Sequence, residues 1–292
     1  MQNIMKHKAL NGWNLFALIS IPLCALMIFK TANADLNSGS AVSELIGFSV
    51  RWAVPFVYLV IAVSALKTLM PNPWTFWLQK NRKYLGLCFA VAMAWQALFI
   101  FIMSTTYRDY YVSDVYVFRD ELEGSVGYVF LLAMVATSFN KVRRMISPVQ
   151  WQLIHKTGIY FLWAYPFSVY WWNLSYYGEP RLLDYLLYAV GFLVVALRIV
   201  AWGKVRGRGN DRKLQSIGWL LIALSIAIAC SGGYWQGMVT GFLTEPAWSA
   251  SMALWLPFWP FEPFISLFVL ALGVSILTND AERVGQSSAE VI

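Results

Sequence analysis

The chain has 292 residues, of which 59% are hydrophobic and 17% aromatic, while only 13% are charged. Soluble proteins carry about 25% charged residues, and apolar runs of roughly 20 residues recur here along the whole length, so a soluble globular enzyme is excluded and an integral membrane protein is specified. The net charge of +7 calls for no nucleic acid, because a polybasic inner face against anionic membrane lipid accounts for it.

Eight apolar segments follow in chain order, at 13–30, 45–68, 84–104, 126–142, 149–173, 183–202, 215–234 and 261–278. They predict an all-α membrane bundle of eight transmembrane helices with short connections. Seventeen of the 22 lysines and arginines fall on one side, among them Lys6, Arg82, Lys141, Arg143, Arg144, Lys204, Arg208 and Arg283. Five fall on the other: Lys30, Arg51, Arg108, Arg119 and Arg181. The positive-inside rule places the first side in the cytoplasm, with both termini inward and the acidic loop 108–124 outside. The first segment ends in Ala32-x-Ala34 behind Lys6 and Lys8 and so resembles a secretory signal. An uncleaved first helix is expected, since eight segments with both ends inside are self-consistent. Cys24, Cys88 and Cys230 lie in apolar segments and read as free buried thiols.

Several motifs are decoys. "SALK" (Ser64 to Lys67) matches the Ser-x-x-Lys of acyl-serine enzymes but lacks their other motifs, and it sits at an inner helix end where a lysine snorkels. "GRGNDR" (207–212) lacks the third glycine and the preceding strand of a dinucleotide loop. No His-x-x-His, Cys-x-x-Cys or Glu-x-x-His pair is present in the sequence. Tyr107, Tyr110, Tyr111, Tyr116, Tyr170, Trp171, Trp172, Tyr176 and Tyr177 crowd the outer boundary as an interfacial aromatic belt.

The chemistry-bearing residues are few. In "SPVQWQLIHKTGIYFLW" (147–163), Ser147 and Pro148 read as N-cap and first helical residue. His155 then lies about 10–12 Å along the axis. An ionisable group at depth is costly and turns towards the bundle interior; a site residue and an imidazole bonded to a neighbouring carbonyl are both open. In the third segment, Met93 and Gln96 are three apart and share a helical face. A mid-membrane glutamine needs a hydrogen-bond partner on another helix, and His155 or the backbone near it is the expected one.

Four ordered stretches then carry a resemblance: "RWAVPFVYLVIAVSALKTLMP" (51–71), "NRKYLGLCFAV" (81–91), "GYVFLLAMVATSF" (127–139) followed by "VRR", and "WQLIHKTGIYFLW" (151–163). Over about 13–203 the chain resembles the ferric reductase-like transmembrane domain family, most closely its bacterial stand-alone members. That family includes the haem-binding membrane subunit of the methionine-sulfoxide reductase system. The resemblance implies a six-helix core, a bacterial inner (plasma) membrane location and haem b held by histidines between the third and fifth segments. "LIHKTG" carries one such histidine over to His155. The places of the others fall on Met93, Gln96 and Ser168, so the scaffold matches while most ligands do not.

Under the resemblance, Met93 is a chemically legitimate second iron ligand beside His155, whereas Gln96 is a poor one. Two functions stay open: an electron-transfer protein with a reduced haem site, or a haem-free accessory or structural subunit of a membrane complex. In the second, Gln96, His155 and Ser168 or Tyr165 form an internal polar network. The 15 residues after Leu277 are too few for a flavin or nicotinamide domain. Electrons would come from quinone or a separate protein. The organisation reads as a cytoplasmic N-terminus (1–12), the ferric reductase-like core (13–203), and a basic loop with a two-helix C-terminal extension (204–292). In the extension, "LWLPFWPFEPF" (254–264) is expected as an outer interfacial segment, with Glu262 capping a helix that begins at Pro263.

Overall fold

The computed structural model describes residue 5 and residues 7–176, 180–207 and 211–278; Lys6, Tyr177, Arg208 and Arg283 lie outside them. Every regular element among the described residues is helical. The chain divides into two compact units, Met1–Val63 with Asn72–Pro166 and Ser64–Pro71 with Phe167–Ile292.

The first unit contains α1 (Gly12–Ala32), α2 (Gly39–Leu69, as far as Val63), α3 (Pro73–Thr106), α4 (Phe118–Thr137) and α5 (Pro148–Ser175, as far as Pro166). Helix α3 begins well before the apolar segment at 84. The Asn72 side chain accepts from the Trp74 and Thr75 amides at 2.9 and 3.1 Å, and Thr75 Oγ1 accepts from the Asn72 amide at 3.1 Å. With Pro73 in the first turn, this reciprocal cap starts the helix where hydropathy gives no signal.

Asn81, fully buried, ties the head of α1 to α3. Its Oδ1 accepts from the Gly12 amide at 2.9 Å, and its Nδ2 donates to Asn11 Oδ1 at 3.2 Å. Gly12 has φ +66°, a left-handed conformation that glycine adopts without steric cost. At the other end, Val42, Leu45, Phe99 and Met103 close α2 onto α3. The Tyr107 hydroxyl donates to the Leu36 carbonyl there.

The second unit contains α6 (Leu182–Arg206), α7 (Arg212–Cys230), α8 (Gly232–Thr244), α9 (Ala247–Trp255) and α10 (Ile265–Leu277). Helices α7 and α10 meet through small residues. A Cβ on Gly273 would stand 2.9 Å from the Gly218 carbonyl oxygen, and one on Gly203 of α6 2.5 Å from Val274. Such approach lets dispersion contacts and short hydrogen bonds hold helices where lipid offers no hydrophobic drive. Ser225 Oγ donates to the Ser266 carbonyl at 2.8 Å. The "SALK" serine has a structural role, with its Oγ accepting from Arg198 at 2.8 Å.

Five helices, α1, α2, α3, α6 and α7, are long and apolar enough to cross a membrane, and Glu262–Leu277 is a shorter apolar one. Three sequence expectations need correction. The segment at 215–234 breaks at Ser231, whose backbone leaves the helical region (φ −111°, ψ 17°), and the extension gains α8 and α9. Cys230 is exposed, not buried. Glu262 is not a helix cap. It is 2% exposed, its Oε1 accepts from Thr240 Oγ1 at 2.6 Å, and Gln236 Nε2 donates to the same threonine at 2.7 Å. A carboxylate among apolar neighbours is held by the hydroxyl that α8 presents, ahead of a first turn that Phe258 and Phe261 enter with φ +63° and +72°.

Gly273→Val is expected to lower the stability of the purified protein by about 1–3 kcal/mol, since neither the Gly218 backbone nor Leu221 can move aside cheaply. Gly233→Ala, where a Cβ meets nothing within 4 Å, is expected to be neutral or stabilising. Unfolding midpoints in one detergent check both.

Candidate functional site

The first unit holds two polar clusters on the faces of α3, α4 and α5. Helix α5 begins as its sequence indicates: Ser147 Oγ accepts from the Gln150 amide at 3.1 Å, and Gln150 Oε1 accepts from the Ser147 amide at 2.9 Å. Two turns later, the His155 ring packs against Trp151 with ring centroids 4.4 Å apart and planes tilted by 31°. The Arg143 guanidinium lies 4.1 Å from the Trp151 ring centre.

His155 Nε2 is 3.0 Å from Thr137 Oγ1, near the end of α4. The threonine hydroxyl has one proton. That proton is directed at the Ala133 carbonyl, only 2.6 Å away. The network therefore assigns the remaining proton to the imidazole, with Nε2–H donating to Thr137. To ligate a metal, Nε2 would have to give up both this proton and Thr137.

The second cluster is centred on Tyr128, also on α4. Its hydroxyl donates to Gln96 Oε1 at 2.9 Å and lies 3.2 Å from the Met93 carbonyl oxygen. Gln96 has the interhelical partner that its depth demands, but that partner is Tyr128 and not His155.

Thr137 and Tyr128 are nine residues apart, which at 1.5 Å per residue is about 13–14 Å along α4. His155 is fastened at one level, Met93 and Gln96 at the other. Gln96 and His155 are thus met by α4 at two different levels. Helices α4 and α5 also close on each other one turn past His155, where a Cβ on Gly158 would meet Met134 Sδ at 2.6 Å. A haem held between Met93 and His155 would require His155 Nε2 to release Thr137.

The other expected residues are placed as follows. Ser168, in the second unit, is 1% exposed, and among the described residues its hydroxyl has no hydrogen-bond partner. In place of the expected network of His155, Gln96 and Ser168 or Tyr165, Gln96 is tied to Tyr128 and His155 to Thr137, as two separate pairs. No group of three or more His, Cys, Asp or Glu able to hold a metal occurs among the described residues. Thr137 and Tyr128 were missed because a hydroxyl inside an apolar run is ordinary in sequence. Their signal is that each lies on α4 opposite a polar residue of another helix.

Thr137→Val and His155→Phe are expected to couple, with an interaction energy of roughly 0.6 kcal/mol or more. Thr137→Val and Tyr128→Phe should add to within about 0.3–0.5 kcal/mol, as distant sites do. Double-mutant cycles on detergent-solubilised protein measure both.

No family model matches the chain, and no solved structure does. Among curated proteins, it is similar to the protein-methionine-sulfoxide reductase heme-binding subunit MsrQ of Polaromonas naphthalenivorans (strain CJ2). The two are 25% identical over 192 residues, 63% of this chain and 83% of the relative. With five membrane-capable helices, the chain is a multi-pass membrane protein, and the similarity supports a relation to that kind of haem-binding membrane subunit.

Proposed function

We propose that this chain is a multi-pass inner-membrane protein derived from a haem b electron-transfer subunit, with its ligand set reduced to His155. Eight spans are proposed: the five long apolar helices together with α4, α5 and Glu262–Leu277. Basic residues gather on the cytoplasmic side, and both termini lie there.

The observation that carries the reading is the bond between His155 and Thr137. The imidazole inherited from the haem scaffold works as a donor tying α5 to α4. In this form the chain serves as an accessory subunit clamped to a membrane protein partner. A form that retains haem is favoured by one observation, the similarity to a subunit named for haem binding. It would require His155 Nε2 to give up Thr137, and His155 would then hold the iron of a group that supplies one-electron transfer.

Haem quantified on protein purified from haem-replete cells separates the two forms. Far less than one haem per chain, unchanged in His155→Ala, is expected for the accessory subunit. Stoichiometric haem that disappears in His155→Ala would establish the redox protein.

The topology has its own test, in a background lacking the three native cysteines. A membrane-impermeant thiol reagent should label Asp114→Cys in intact cells. Lys141→Cys should react only after permeabilisation. The reverse pattern would invert the orientation.

A further inference from the structure

The cytoplasmic end of the first unit carries an open cleft of about 350 Å³ at the head of α5. Its polar lining comes from Asn140, Arg143, Arg144, Ser147 and Trp151, and no carboxylate lines it. Arg143, Arg144 and Trp151 have only donors to offer, while Asn140 and Ser147 can donate as well as accept. Neither guanidinium makes an ion pair among the described residues. The Trp151 indole nitrogen is shielded from solvent and has no hydrogen-bond partner there. Arg143 lies against the Trp151 ring at 4.1 Å, which fixes one guanidinium at the wall of the cleft.

Two arginines at the wall of a cleft with no opposing acid form a cationic, donor-rich set. The chemistry that satisfies such a set is an oxyanion with several acceptor oxygens, and planar guanidinium forks match phosphate in two-point contacts. The volume is in the range of sites that enclose small ligands. Basic pockets at the cytoplasmic ends of membrane helices take phosphorylated headgroups for the same reason.

We propose that this cleft binds a phosphate group, presented by an anionic phospholipid headgroup or by a free phosphorylated solute. The chemistry is independent of the haem question; only the lipid source rests on the orientation proposed above. Arg143 and Arg144 bind the phosphate oxygens, and the Trp151 ring holds Arg143 in place. Because Trp151 also packs against His155, an occupied cleft steadies the end of α5 that carries the imidazole.

The full-length protein in detergent, probed by native mass spectrometry, tests this directly. With phosphatidylglycerol added against excess phosphatidylcholine, one phosphatidylglycerol should be retained per chain. Arg143→Ala combined with Arg144→Ala should weaken retention about tenfold or more. Lys141→Ala, a neighbouring charge outside the cleft, should not. Arg144→Gln, which leaves the Arg143–Trp151 stack intact, repeats the test with less risk to folding and should also weaken binding. Titration with inorganic phosphate then distinguishes the sources. Retained lipid that millimolar phosphate leaves in place assigns a headgroup site, whereas phosphate bound by the wild type in competition with lipid and lost in the arginine variants assigns a solute site. The proposal is overturned if the arginine variants bind both probes as the wild type does, or if Lys141→Ala loses as much as they do.

Discussion

In a bilayer every polar group needs a partner within the protein, since hydrocarbon supplies none. In the first unit that constraint sets which helix faces meet. Tyr128 and Thr137 lie on α4 about two and a half turns apart, one answering Gln96 of α3 and the other His155 of α5. Once both are satisfied, α4 is held to its neighbours at two depths. Here Gln96 and His155 are met at different levels, and each level is closed by a hydroxyl of α4.

The second unit meets the same constraint by different means. Gly218, Gly273 and Gly203 bring backbones to contact distance, and Ser225 then reaches the Ser266 carbonyl. Charged groups are handled locally. Arg198 donates to Ser64, and Lys204 donates to the carbonyls of Thr68 and Leu69 at 3.0 and 3.3 Å, where the end of α2 leaves them unsatisfied. Among the described residues Glu262 is the most deeply buried carboxylate of that unit, and Thr240 with Gln236 forms its support. Removing Thr240 would take away the hydrogen bond that its Oε1 accepts.

Much of this was legible beforehand where a local rule decides the outcome. Ser147 with Pro148 announced the start of α5, and apolar length located each of the main helices. Gln96 announced that it needs an interhelical partner. The identity of the partner was not legible, because it depends on the rotation of α4 about its axis. His155, the obvious polar group, drew an expectation that belonged to Tyr128. The start of α3 was written in Asn72-Pro73-x-Thr75, yet apolar content alone pointed to residue 84. Glu262 shows the opposite failure: an acidic residue before a proline follows the capping rule, but tertiary packing turned its carboxylate to α8. The basic cleft was invisible as a site because Arg143 and Arg144 in sequence are simply positive-inside charges.

The central claim is that His155 donates from Nε2 to Thr137 and holds no iron. Nitrogen-15 NMR on [15N]histidine-labelled protein tests it most directly, since His155 and His7 are the only histidines and a His7→Gln background leaves one. An Nε2-protonated ring, sharp and diamagnetic, that changes when Thr137 becomes valine is the predicted result. A ring protonated at Nδ1, with Nε2 shifted or broadened by a bound iron, would contradict it.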